Sequence, residues 1–367
     1  MYYYESYKIF NNMNTHSKCV SILKGLGIIL VVVGHTSAPV IFKGWIYSFH
    51  MPLFFLLSGY LFKENYINSP FQFIKRKIKG LYLPFIKWGF IFVLLHNFFF
   101  SLNFYHDYIP IKEIIIRTLH LFFFRQYEGL LGAYWFIPEL FYASIFALGI
   151  LVLIENLKKL LNINILNRTI VFSFICILYF CVFLISDIIF LGTIRSVTLL
   201  GVAFFLSGII IKQIKYRFPL WISFFGLIVT FFYLYFYPKV IDIFTTGPEI
   251  FLLVVTSYFV FFCLFNIAER IEETGTGKII DIIGSNTLII LTLHFVCFKI
   301  WSFVIILRDN LDPSHLMDFP YIITEKQYDW WMYSIIGIGI PICIVFVNKF
   351  MMSWISKSIL TKNAISN

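Results

Sequence analysis

Several ionisable residues of this 367-residue chain fall inside long apolar stretches, where burying them is expensive. His35, His50, Glu139 and Arg195 each lie about five or six residues from one end of such a stretch. If successive stretches cross a bilayer in alternating directions, all four reach one depth. His294, about twelve residues from the opposite end of its stretch, then falls a turn or two below them. An imidazole beside a carboxylate and a guanidinium can take a proton from a bound hydroxyl, and the same set can relay protons through a transporter. Both chemistries stay open on this pattern. A second layer, near the other face, is wholly basic: Lys24, Lys87 and the run Lys75, Arg76, Lys77, Lys79. It suits an anion. Lys24 and His35 are eleven residues apart, so on one continuous helix they share a face about 16 Å apart.

Each group also has a plainer role. A buried His, Glu or Arg can bridge helices, Lys87 can snorkel to headgroups, and the 75–79 run can orient the chain. Convergence on one layer singles out His35.

The elements that must hold these residues follow from composition. Apolar letters make up 60% of the chain, aromatic ones 21% and charged ones only 13%, with a mean hydropathy of +0.85. That composition describes an integral membrane protein of the all-α class and excludes a sizeable soluble domain. Apolar runs near 22–41, 45–63, 81–100, 133–154, 168–186, 189–211, 219–237, 248–267, 282–305 and 333–354 predict a bundle of about ten transmembrane helices. Residues 22–354 read as one transmembrane domain between a retained N-terminal tail, 1–21, and a C-terminal tail, 355–367. Residues 111–125 are apolar but short and interrupted by charge, which predicts an interfacial or re-entrant helix. Nineteen Lys and Arg fall in segments on the side of the N-terminus and seven on the other, placing both termini in the cytoplasm. The net charge of +10 is explained by that bias, so nucleic acid is not an expected partner. The six Cys show no C-x-x-C spacing, and neither a disulfide framework nor a metal site is expected.

Two pairings are anticipated. FFLLSGYLFK (54–63) and AFFLSGIIIK (203–212) both end a span with S-G-x-x-x-K, which reads as small residues packing two helices above a Lys anchor, or as the trace of a duplication. In a hairpin of the first two spans, Gly25 and Gly27 come opposite Ser58 and Gly59.

SILKGLGIILVVVGH (21–35), FHMPLFFLLSGYLF (49–62), KRKIKGLYLPF (75–85), WFIPELF (135–141) and IGSNTLIILTLH (283–294) together resemble the signatures of the membrane acyltransferase-3 family. Within it they are most similar to the fucose 4-O-acetylase-like branch that modifies bacterial surface polysaccharides. The resemblance implies ten spanning helices in a bacterial cytoplasmic membrane. It implies transfer of an acyl group, usually acetyl from cytoplasmic acetyl-CoA, onto a sugar hydroxyl. The family's basic residue and essential histidine fall on Lys24 and His35. Its frequent acidic residue, three positions before the basic one, is replaced by Ser21. Many relatives also carry an extracytoplasmic esterase-like domain, and relay of an acyl group to one would require a separate partner here.

Resemblance and depth pattern fit one reaction. Acetyl-CoA docks with its phosphates on Lys24, Lys75, Arg76 and Lys77, and its thioester rises to the histidine layer. His35 acts as general base, Arg195 steadies the oxyanion, and Glu139 or His50 orients the imidazole or the acceptor. His50, Ser58, Asn286 and His294 are assigned to the substrate. Ser58 is expected several turns below His35 with no base beside it, which favours direct transfer over an acyl-serine. The rival function is a proton-coupled transporter, or a flippase acting on a small solute or glycan precursor.

Overall fold

A computed structural model describes residues 2–161, 167–184, 196–214, 218–237, 241–245, 247–324, 326 and 328–365. Among them are helices and loops and no strand. Fifteen α-helices follow in chain order: α1 (Tyr2–Gly34), α2 (Val40–Tyr47), α3 (His50–Tyr60), α4 (Asn65–Asn68), α5 (Pro70–Lys77), α6 (Leu83–Ser101), α7 (Ile111–Leu121), α8 (Phe136–Leu161), α9 (Asn167–Leu184), α10 (Ser196–Ile214), α11 (Leu220–Phe236), α12 (Ile250–Ile271), α13 (Gly275–Ser285), α14 (Thr287–Asp309) and α15 (Asp329–Ile365).

Seven helical stretches among the described residues are long and apolar enough to cross a membrane: Val40–Tyr60, Pro70–Ser101, Gly129–Leu161, Ser196–Ile214, Gly247–Ile271, Thr287–Asp309 and Asp329–Ser353. They fall in seven of the ten apolar runs. The other three runs hold the end of α1 and two shorter apolar helices, Ile170–Val182 and Leu220–Phe236. Helix α1 begins at Tyr2, well ahead of its apolar run, and α15 continues to Ile365.

Breaks inside the anticipated spans matter most for the site. Helix α1 stops at Gly34, so His35 sits just past its C-terminus, although its backbone N–H still reaches Val31 O at 3.2 Å. Pro39 then precedes α2 and, lacking an N–H, begins a new helix. The anticipated second span is two helices, broken at Ser48 and Phe49, so that His50 opens α3. The ninth divides at Asn286 into α13 and α14. A π-helical turn, Ile78–Tyr82, joins α5 to α6.

Small residues set the helix spacing. A Cβ on Gly59 would lie 1.8 Å from Phe205 O, and one on Gly208 would lie 2.1 Å from Leu56 O. The two S-G-x-x-x-K segments therefore pack on each other, α3 beside α10, and Lys212 Nζ donates to Phe62 O at 2.8 Å. Overpacking of this kind costs about 1–3 kcal/mol. The partner of Gly25 differs from the anticipated one: it faces Ile280 and Gly284 of α13, while a Cβ on Gly284 would meet Ser21 O at 1.7 Å. Gly27 does pack on α3, but on Leu53 and Phe54, about a turn away from the Ser58 and Gly59 that the hairpin register anticipates. Helix α1 thus lies centrally, wedged between α3 and α13.

Helix α7 is re-entrant. Asn97 of α6 exchanges two hydrogen bonds with Ile109 as the segment leaves, at 2.8 and 3.0 Å, and His96 meets Glu128 as it returns, at 2.9 Å. Between these ties the chain descends along α6, with Leu121 against Gly89 and Tyr82 Oη donating to Phe122 O at 3.0 Å. Tyr82 is fifteen residues from Asn97, so the tip lies about 20 Å along the span from its entrance.

Candidate active site

Helices α1, α3 and α14 surround a cavity of about 450 Å³, within the range of small-molecule sites. Lys24, Ser58 and Leu61, with Gly80 and Leu81 of the π turn, line one end. His35, Tyr47, His50 and Asp242 line the other. Between them the wall is apolar: Ile28, Val31, Phe54, Leu57, Leu288 and Leu291. Lys24 and His35 share the face that their spacing implies, with Ile28 and Val31 between them.

Three imidazoles gather at the His35 end. The rings of His35 and His294 stack with centroids 5.5 Å apart and an interplanar angle of 29°. His294 therefore sits at the level of His35, higher than its place in the sequence suggests, and it is fully buried behind the cavity wall. Its Nδ1 faces Ile290 O at 3.1 Å, and that of His50 faces Ile46 O at 2.9 Å. A carbonyl only accepts, so in both rings Nδ1 carries the proton and in the neutral ring Nε2 is a free lone pair. His294 Nε2 is buried with no partner among the described residues. The His35 ring makes no hydrogen bond among them. Phe295 holds it edge-on at 5.1 Å and Tyr47 lies at 6.4 Å, with Tyr47 Oη donating to Gly34 O at 2.7 Å. Position comes from packing, and the ring nitrogens are left for a ligand.

The segment 310–324 folds over this end. The Phe319 ring packs tilted against Phe295 with centroids 4.8 Å apart, and Lys43 Nζ donates to Tyr321 Oη at 2.9 Å. Arg308 binds both Asp309, at 2.6 Å, and the buried Asp329, at 2.8 Å. Lys299, buried within α14, donates to Leu316 O at 2.8 Å and Asp318 O at 2.7 Å, so this intramembrane charge fastens the loop.

Several residues singled out from sequence lie away from the cavity. Glu139, in the first turn of α8, is buried behind the wall and accepts from Thr198 Oγ1. Lys75 and Arg76 face outward on α5, Arg76 donating to Tyr66 Oη at 3.1 Å, while Lys77 Nζ lies over the Phe73 and Phe205 rings at 5.2 and 5.5 Å. Lys87 is exposed, with its Nζ over Trp88. Asn286 donates to Ile282 O at 2.7 Å in the α13–α14 break, one residue from Thr287 on the cavity wall. Arg195 lies outside the described residues. Ser21 stands beside the Lys24 end: its hydroxyl meets Ser285 Oγ at 3.1 Å and donates to Asp281 O at 3.2 Å.

Asp242, Tyr47 and Trp135 are cavity residues that the sequence reading passed over. Asp242 sits in a turn where Phe244 N donates to its Oδ1 at 2.9 Å and its own N–H reaches Thr245 Oγ1 at 2.8 Å. The D-x-x-T spacing was the available signal for an ordered turn. Trp135 packs tilted against Phe244, two residues after Asp242, with ring centroids 4.8 Å apart.

A basic end, an apolar shaft and an imidazole end suit a long ligand with a charged head and a reactive tip. The acyltransferase domain family matches residues 18–348, nearly the whole chain. This chain belongs to the acyltransferase-3 family. Over 135 residues the acyltransferase is also 31% identical to nodulation protein NolL of Mesorhizobium japonicum, a match covering 33% of this chain and 32% of that protein. It thus spans about a third of that curated relative's length. No solved structure matches the chain. Among the described residues of the acyltransferase, no three His, Cys, Asp or Glu cluster as metal ligands. Membership in this family supports acyl transfer in general, and the long apolar helices fit a multi-pass membrane protein.

Proposed function

We propose that this acyltransferase moves an acetyl group from cytoplasmic acetyl-CoA to a hydroxyl of a bacterial surface or lipid-linked polysaccharide. One observation carries the reading: Lys24 and His35 line opposite ends of a single cavity. The donor enters at the Lys24 end, where the ammonium group meets its phosphates, and its pantetheine arm lies along the apolar shaft. The thioester reaches His35. The acceptor hydroxyl comes from the other side, with Tyr47, His50 and Asp242 around it. His35 takes the hydroxyl proton as the oxygen attacks the thioester carbonyl. The tetrahedral intermediate collapses by breaking the C–S bond, and the proton passes from the imidazolium to the leaving thiolate. His294, stacked on His35 with its own N–H tied to Ile290 O, fixes the plane of the base.

Ser58 is eight residues, about 12 Å of helix rise, from His50, and that separation argues for direct transfer. Both termini in the cytoplasm put the Lys24 end on the side where acetyl-CoA is found. Purified acyltransferase in nanodiscs, supplied with radiolabelled acetyl-CoA and a glycan acceptor, tests the proposal. Label should move to glycan with the intact chain, and His35→Ala should lower kcat about 10²- to 10⁴-fold. Label moving at the same rate in that variant would refute His35 as the base.

A further inference from the structure

A second cavity, of about 700 Å³, opens on the surface of the protein between the π turn, the tip of the re-entrant segment and α8. Its polar lining consists of Arg125, His120, Tyr82 and Tyr142, and the rest is aromatic or aliphatic. Arg125 is exposed, and its guanidinium has no hydrogen bond or ion pair among the described residues. The backbone turn that presents it is built: Phe124 adopts φ +57°, and both Phe123 N and Arg125 N reach His120 O at 3.0 Å. The Nδ1 of His120 is shielded from solvent and has no partner among the described residues. Around these groups, Phe122 and Phe123 are exposed at 51% and 68%, a surface suited to acyl chains.

Depth sharpens the problem. The tip lies beside Tyr82, close to the basic turn Lys75–Lys79 and about 20 Å along α6 from where the segment enters. A guanidinium there, among exposed aromatics and with no acid to pair with, needs an anion from its surroundings. Arg117, on the preceding helix α7, shows the alternative: it is paired with both Glu113 and Glu128.

We propose that this cavity binds the phosphate of an anionic membrane phospholipid. The phosphate sits on Arg125, His120 donates or accepts beside it, and the acyl chains run over Phe122 and Phe123. The occupant is a lipid and not free phosphate, because the charged corner is small and the remaining wall is apolar. The site is separate from the Lys24–His35 cavity, and the proposal stands independently of the donor and acceptor assigned there.

Native mass spectrometry of the purified full chain, titrated with phosphatidylglycerol or phosphatidylcholine, tests it. The intact protein should hold one phosphatidylglycerol at least tenfold more tightly than phosphatidylcholine, and millimolar inorganic phosphate should not displace it. Arg125→Gln should abolish that preference, Arg125→Lys should retain part of it, and Lys112→Gln, at the far end of α7, should leave it unchanged. Equal lipid preference in Arg125→Gln would overturn the proposal, as would displacement by inorganic phosphate or the same loss in Lys112→Gln.

Discussion

His35 and His96 show two uses of a histidine in one membrane protein. His96, in α6, is saturated: Nδ1 meets Glu128 Oε2 at 2.9 Å, Nε2 meets Asp107 O at 3.0 Å, and the ring stacks on Tyr105 with centroids 4.4 Å apart. Glu128 also holds Arg117, at 3.1 Å. His35 has the opposite surroundings: packing on every side, a cavity in front, and ring nitrogens with no hydrogen bond among the described residues. A ring whose two nitrogens are committed can hold a re-entrant segment in place but has no lone pair to offer a substrate. A ring fixed only by apolar neighbours keeps its lone pair for chemistry. Buried histidine is therefore weak evidence of function until its partners are counted.

Three variants can break or sharpen that contrast. The largest effect is expected at the saturated cluster. Glu128→Ala leaves the buried His96 without its acid and Arg117 with Glu113 alone, and should destabilise the protein by about 3–5 kcal/mol in thermal unfolding. The kcat of the folded fraction should stay near wild type. A loss of kcat with stability intact would move His96 into the working site. Next, Lys24→Gln removes a charged contact to the donor's phosphates and should raise KM for acetyl-CoA about ten- to a hundredfold, with kcat nearly unchanged. A fall in kcat at constant KM would place Lys24 in the chemical step. The smallest effect is expected for Lys75→Gln with Arg76→Gln. Both side chains face away from the cavity, so KM should move by less than about twofold, as for exposed charges in water. A larger rise would mean that the donor's phosphates reach beyond the cavity mouth.

Much of this arrangement was legible in the sequence because helical periodicity and hydropathy act locally. The eleven-residue spacing of Lys24 and His35 put both on one face, and the S-G pairs foretold the α3–α10 contact. The charge-broken run at 111–125 foretold a short helix, which the structure places at Ile111–Leu121. What the sequence hid depends on neighbours far apart in the chain. Gly25 meets Gly284 across more than 250 residues, and the depth argument had assigned it a different partner. Breaks at Gly34 and Ser48–Phe49 moved His35 and His50 to helix ends, because the Pro-bearing linker after α1 outweighed a continuous apolar run. The basic run at 75–79 looked like a phosphate cradle by composition, yet α5 turns Lys75 and Arg76 outward and buries Lys77 on aromatic rings. Asp242 reaches the cavity from a loop, where no periodicity exists to mark it.

The central claim, that the unbound imidazole of His35 performs glycan acetylation, is tested most directly by mass spectrometry of surface glycan from cells carrying either the intact chain or His35→Ala at equal membrane abundance. The expected result is loss of one acetyl mass per repeat unit in the variant, while His96→Ala, corrected for its lower abundance, keeps the modification. Acetylated glycan at an unchanged level in His35→Ala would contradict the account.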